Sequence, residues 1–174
     1  LGASSLSIVN NVKDVRVIAI DNSEAMINEC ITRFQESPKY QNVQFLQEDI
    51  MESAIENASF IVVNYLVQFL DLTQRDMLFE KIYRALLPGG VLLVSEKVHY
   101  ENKYQTNRIF RTHHKFKAAN GYSDLEISGK RDSLEGVLLT EYEEDHLLRA
   151  SKAGFKKTEK VLSNLNFRTF VFLK

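Results

Sequence analysis

The chain has 174 residues, 44% apolar and 26% charged, the balance of a soluble globular domain with a sizeable core. Its 22 basic and 23 acidic residues leave a net charge of −1, so bulk charge gives no argument for a nucleic-acid partner. The single cysteine, Cys30, excludes an intrachain disulfide and points to a reducing cytoplasm, and no apolar run reaches the ~20 residues of a membrane span.

The chain opens at Leu1-Gly2-Ala3-Ser4-Ser5 with no initiating methionine, no basic leader and no signal-peptide core, so an upstream segment is expected to be missing. Residues 4–11 are predicted to finish a helix behind a glycine turn, with Leu6 and Val9 inward. The β-branched run 15–20 predicts a buried strand that ends on Asp21-Asn22. Asn22 or Ser23 can cap the next helix, in which Ala25, Met26, Cys30, Ile31 and Phe34 recur near helical spacing and Ser37-Pro38 forms the stop.

Residues 43–46 predict a third strand followed by Glu48-Asp49-Ile50, if the missing upstream strand is counted first. Residues 58–64 predict a fourth, with Asn64 at its carboxyl end. Residues 73–87 predict a helix with Leu78, Ile82 and Leu86 on one stripe, and Pro88-Gly89-Gly90 a tight turn into a fifth strand, 91–95. Strands alternating with helices imply a parallel sheet covered on both faces.

The stretch 99–138 differs, with seven Lys/Arg against two acids between Lys103 and Arg131. It is expected to form two helices parted near Asn120-Gly121, as an insertion beside the sheet. Thr140 and Glu143 have the spacing of a capping box for a helix reaching Ala153, with Gly154 as its stop. Residues 157–162 and 167–173 predict a terminal hairpin that makes the sheet mixed.

Asp21 follows Gly2 by 19 residues, close to the ~20 between a glycine-rich phosphate or nucleoside turn and the acid that accepts ribose hydroxyls. A solvated strand-end aspartate is the plain alternative. Asp49 after the next strand suits an exocyclic adenine amine, and Asn64 stands where open α/β sheets hold ligands, unless it only satisfies nearby backbone. Glu96-Lys97 either faces the site or is surface charge. His113 and His114 point about 100° apart on a helix. No Cys/His cluster has metal-ligand spacing, so no metal site is expected. Cys30 reads as core.

Leu87-Pro88-Gly89-Gly90 together with Asp21-Asn22-Ser23, Glu48-Asp49-Ile50 and Val63-Asn64-Tyr65 resembles class I S-adenosylmethionine methyltransferases. His113-His114-Lys115-Phe116-Lys117, the block from Ala119 to Ser128 that includes Asn120-Gly121-Tyr122-Ser123, and Lys130-Arg131 narrow this. They resemble the carboxy-S-adenosylmethionine synthases, through essentially the whole chain. The resemblance implies a Rossmann-like α/β fold in which residues 1–174 form one S-adenosylmethionine-binding domain with a helical insertion at about 99–138. It lacks the N-terminal strand and part of the glycine loop, so this fragment itself is expected to be inactive.

The resemblance further implies a reaction of S-adenosylmethionine with prephenate, giving carboxy-S-adenosylmethionine, phenylpyruvate and water. A partner tRNA carboxymethyltransferase then uses the product at wobble uridine. A cytoplasmic homodimer without direct nucleic-acid contact is implied as well. By resemblance Gly2 lies at the methionine end of the ligand, Asp21 and Asn22 take the ribose, Asp49 and Ile50 the adenine, and Asn64 lies near the sulfonium. Arg131 matches the arginine that grips the added carboxylate, a role suited to a planar two-pronged donor. The bland role for Arg131 is a surface pair with Glu135. Two other readings compete: an ordinary S-adenosylmethionine-dependent methyltransferase, and a non-catalytic tRNA-binding module built on the basic insertion.

Overall fold

The computed structural model describes residues 2–35 and 40–174, which form two compact units, Leu1–Ala54 and Ile55–Lys174. The expected helix stop at Ser37-Pro38 lies outside the described residues.

In the first unit α1 (Ala3–Asn11) opens on Gly2, whose φ of +69° places it in the left-handed region. A Cβ at Gly2 would sit 2.8 Å from the Phe34 ring, so close approach as well as φ calls for glycine. Strands β1 (Val17–Asp21) and β2 (Val43–Gln47) pair in parallel, with Asp21 opposite Gln47. Between them runs α2 (Glu24–Gln35), which buries Ile27, Cys30 and Phe34. Phe34 packs against Tyr40 and Phe45 at centroid distances of 5.0 Å each.

Three expectations change here. The inward stripe of α2 includes Ile27, while Ala25 and Met26 are exposed, because the helix starts at Glu24 and the i, i+3, i+7 series falls on 27, 30 and 34. The cap is Ser23, whose Oγ accepts from Met26 N at 3.4 Å, and not Asn22. Strand β1 is not buried: Ile18 is 49% exposed, since its sheet has only two strands among the described residues.

The second unit holds β3 (Ala58–Asn64), a single 3-10 turn (Val67–Phe69), α3 (Leu72–Ala85), β4 (Leu86–Lys97), α4 (Lys103–Ala119), α5 (Asp124–Leu134), α6 (Glu143–Ala153), β5 (Lys157–Asn164) and β6 (Phe167–Leu173). Its sheet runs β3-β4-β6-β5, with β3 and β4 parallel and the other pairs antiparallel, so the reversed terminal hairpin makes it mixed as expected. Strand β6 alternates strictly, burying Arg168, Phe170 and Phe172. Strand β5 is exposed along its whole length and carries lysines, the composition that blunts a sheet edge. Phe170, Phe172, Phe79, Leu78, Ile82, Leu92 and Val94 form the core.

Pro88-Gly89-Gly90 is not a turn between elements. Strand pairing holds on either side of it: Ala58 faces Leu86 and Phe60 faces Val91, so four residues of β4 (87–90) lie against one of β3 (Ser59). The excess is a bulge, in which Pro88 is spared the ladder donor it lacks and Gly89 takes φ +77°. Gly154 ends α6 with φ +114° as expected. The cap of α6 is Tyr142, whose N–H donates to Asp145 Oδ2 at 3.0 Å, rather than a Thr140–Glu143 box. Glu143 is drawn away by Lys160 and Arg168, at 2.7 and 3.0 Å, and the Thr140 carbonyl meets His99 Nδ1 at 3.0 Å.

Candidate active site

In the first unit, the parallel pairing of β1 and β2 sets their carboxyl ends side by side, and Glu48 N donates to Asp21 O at 3.2 Å. Asp21, Asn22, Asp49 and Ile50 therefore share one rim. Asp21 Oδ1 accepts from Ser23 N at 2.9 Å, and Asp49 Oδ1 accepts from Met51 N at 2.7 Å. Each exposed carboxylate is thus oriented by its own turn through one oxygen, leaving the other to meet a ligand hydroxyl or amine. This fits the diol and amine edges of a nucleoside. Gly2 opens α1 on the same unit.

In the second unit Asn64 ends β3 in register with Ser95, and Tyr65 N donates to Ser95 O at 2.7 Å. Tyr65 takes φ +54°, unusual for a residue with a large side chain, and turns the chain into the 3-10 segment. Beneath that turn lies Glu96, fully buried, whose Oε1 accepts from Leu66 N at 2.8 Å and Val67 N at 2.7 Å. Burial pushes its carboxyl up to about 7 against the opposing pull of the backbone donors and Arg75. Glu96 is therefore not surface charge: it pins the loop that follows Asn64.

Arg75 holds the same loop from the other side. Its Nε donates to Leu70 O at 2.9 Å and its Nη2 to Leu139 O at 2.8 Å, while Nη1 pairs with Glu141 at 2.8 Å. Glu141 also pairs with Arg149 at 2.6 Å, and Arg149 with Asp76 at 2.7 Å. Burial raises the Glu141 carboxyl, but the hydrogen bonds and charges of Arg149 and Arg75 outweigh it and hold the group below the usual carboxylate range. None of these residues was a candidate from sequence. The available signal was the stripe Arg75, Leu78, Phe79, Ile82, which places Arg75 on the apolar face of α3.

Arg131 lies on α5, 59% exposed at its side chain, with Nε and Nη2 donating to Asp132 Oδ1 at 2.9 and 2.7 Å. Its surface partner is therefore Asp132 rather than Glu135. His113 lies edge-on to Phe167, at a 5.4 Å centroid distance. His114 approaches Asp124 at 3.5 Å. Cys30 is buried core. No helix among the described residues is long and apolar enough to cross a membrane.

Residues 1–90 match the family described as a methyltransferase domain. Curated relatives from Shigella sonnei and Escherichia coli, named carboxy-S-adenosyl-L-methionine synthase, are 44% identical over 176 residues, covering 100% of this chain and 71% of theirs. The chain belongs to the carboxy-S-adenosyl-L-methionine synthase family. Solved structures agree on the fold. An O-methyltransferase family 2 protein from Planctomyces limnophilus matches with TM-score 0.72 at 15% identity, over 99% of this chain and 47% of its own. NodS, an N-methyltransferase from Bradyrhizobium japonicum solved with S-adenosyl-l-homocysteine, matches with TM-score 0.64 at 15% identity, over 99% and 72%. The fold of this synthase-family chain is that of the class I S-adenosylmethionine methyltransferases, as expected. The ordinary methyltransferase reading is not favoured, because the near relatives over the full length are synthases.

Proposed function

We propose that this protein converts S-adenosylmethionine and prephenate to carboxy-S-adenosylmethionine, phenylpyruvate and water. The observation that carries this is the 44% identity along the whole chain to the carboxy-S-adenosyl-L-methionine synthases. The rim that sets the oriented carboxylates of Asp21 and Asp49 together supports it. In the reaction the sulfonium methyl carbon loses a proton and gains a bond to the carboxyl carbon of prephenate. The ring carbon–carboxyl bond breaks, and the ring hydroxyl leaves with that proton as water while the ring becomes aromatic. No external oxidant is needed.

Asp21 and Asn22 take the ribose in this reading, Asp49 and Ile50 the adenine, Gly2 the methionine end and Asn64 the sulfonium side. Arg131 takes the transferred carboxylate, exchanging Asp132 for it. Arg131 is the catalytic candidate, since it alone distinguishes the carboxylated product from the methyl parent. A cytoplasmic homodimer that passes its product to a tRNA carboxymethyltransferase completes the proposal, without direct contact to nucleic acid or membrane.

The test is mass spectrometry of the nucleoside formed from S-adenosylmethionine in the presence and absence of prephenate. A species one carboxyl group heavier, dependent on prephenate and accompanied by phenylpyruvate, supports the reading. A methylated acceptor in its place supports an ordinary methyltransferase.

A further inference from the structure

Phe167 is the hub of a second arrangement in the unit formed by residues 55–174. It is the first residue of β6 and stands in register with Lys97, the last of β4, on the rim where β3 ends at Asn64. Lys97 Nζ lies 5.5 Å above its ring. Tyr65 meets it edge-on from the turn after β3 at 5.7 Å, and His113 from α4 at 5.4 Å. Lys117, one helical turn beyond His113, and Lys130 on α5 bring two more cations to bear on Lys97.

Positive charge here is only partly offset, by Glu96 acting on Lys97. Among the described residues Lys97, Lys117 and Lys130 have no carboxylate within ion-pair distance, and the nearby acid, Glu96, is buried with its Oε1 accepting from the Leu66 and Val67 amides. The consequence is visible on Lys97 and His113. Burial and then the charges of Lys117 and Lys130 lower Lys97, and burial and then Lys117 and Lys97 lower His113. A half-buried Lys97 and Lys117 beside an exposed Lys130, without an ion-paired carboxylate and with aromatic rings against Lys97, at the carboxyl end of parallel strands, are suited to an anion that carries a flat apolar body.

We propose that Lys97 and His113, gathered about Phe167, together with the neighbouring Lys117 and Lys130, bind the carboxylates of a small cyclic dicarboxylate, whose ring rests against Tyr65 and Phe167. The inference deepens the proposed function, because prephenate is such a molecule and enters as the second substrate. It also separates two tasks among the basic residues. Arg131 selects the carboxyl group once it is on the sulfur ligand, and the lysines hold the dianion that donates it.

Direct binding tests the site apart from turnover. Calorimetric titration of prephenate into the wild-type protein, Lys97→Met, Lys130→Met, the double variant and Lys97→Arg is run beside a titration of S-adenosylmethionine. The expected result is about a 10-fold loss of prephenate affinity per lysine removed, the scale of one charge-assisted hydrogen bond. Lys97→Arg should retain most of the affinity, and S-adenosylmethionine should bind all variants equally. Phenylpyruvate, with the ring but one carboxylate, should bind more weakly than prephenate and lose less in the double variant. Rising salt should weaken prephenate binding in the wild type more than in the double variant. Unchanged prephenate affinity in the double variant overturns the proposal, as does an equal loss for S-adenosylmethionine. It is likewise overturned if short RNA, and not prephenate, depends on these lysines. Absence of a carboxylated product with prephenate binding intact would defeat the proposed reaction while leaving the site standing.

Discussion

Two groups of cations in the unit formed by residues 55–174 show opposite arrangements. Arg75 and Arg149 are buried, and each has a carboxylate of Glu141 within 2.8 Å, with Asp76 as a further partner for Arg149. Lys117 and Lys130 act electrostatically on Lys97, offset only in part by Glu96, and among the described residues none of the three lysines has a carboxylate within ion-pair distance. The first group is internally complete, so its charge fixes structure and leaves little potential for a ligand. The second leaves positive potential beside aromatic rings at the sheet rim. Completeness of pairing, rather than the number of charges, separates a structural from a binding role here.

The largest expected effect lies in the complete group. Glu141→Ala leaves two buried guanidinium groups without their shared partner and should cost about 3–5 kcal/mol in urea denaturation. Lys97→Met should leave the urea midpoint near that of the wild type. Comparable losses at the two sites would erase the distinction.

Glu96 comes next. Its folded value of about 7 lies above the ordinary 4.5, so the folded state holds the proton more tightly than the unfolded chain. The stability this gives is full below about pH 4.5 and is lost as pH rises through about 7, a change on the order of 3 kcal/mol. His146, buried and held near 4 by its burial, acts in the opposite sense, its contribution being lost as pH falls from 6.5 toward 4. Glu96→Gln keeps an acceptor for the Leu66 and Val67 amides and removes only the first slope. The variant should gain on the wild type steadily between pH 4.5 and 7, and parallel stability curves would contradict the assignment.

Arg131→Ala should weaken binding of carboxy-S-adenosylmethionine by about 2 kcal/mol, roughly 30-fold, and that of S-adenosylmethionine far less. Arg131→Lys should recover part of the loss. Asp132→Ala should tighten binding of the carboxylated ligand, because it frees the guanidinium; weaker binding there would tell against the exchange. Asp21→Ala should reduce S-adenosylmethionine affinity about 10-fold, the value of one hydrogen bond to a charged group, with the thermal midpoint unchanged because Asp21 is exposed.

The pattern of these sites explains what could be read from the chain. Period-2 and β-branched runs located every strand, and Asp21, Asp49 and Asn64 were legible because they punctuate apolar runs at strand ends. Gly154 was legible because only a left-handed residue suits that helix end. Glu96 was not, since a carboxylate in Ser95-Glu96-Lys97 resembles surface charge until its long-range amide partners are known, 29 and 30 residues away. The Arg75–Glu141–Arg149 network was hidden for the same reason: its partners are joined by tertiary packing rather than by helical spacing alone. The Pro88-Gly89-Gly90 bulge was misread because local turn chemistry is compatible with either a turn or a bulge, and strand pairing decided between them. Arg131 was singled out by resemblance, whereas helical spacing pointed to Glu135 as its surface partner and the structure pairs it with the adjacent Asp132.

In the proposed reaction the protein makes a carboxylated sulfonium nucleoside by taking a carboxyl group from a dianionic ring acid. Prephenate labelled with carbon-13 in its ring-attached carboxyl group, incubated with the protein and unlabelled S-adenosylmethionine, tests it most directly. The label is expected in carboxy-S-adenosylmethionine, with unlabelled phenylpyruvate formed in equal amount. Label released only as carbon dioxide, with S-adenosylmethionine unchanged, would contradict it.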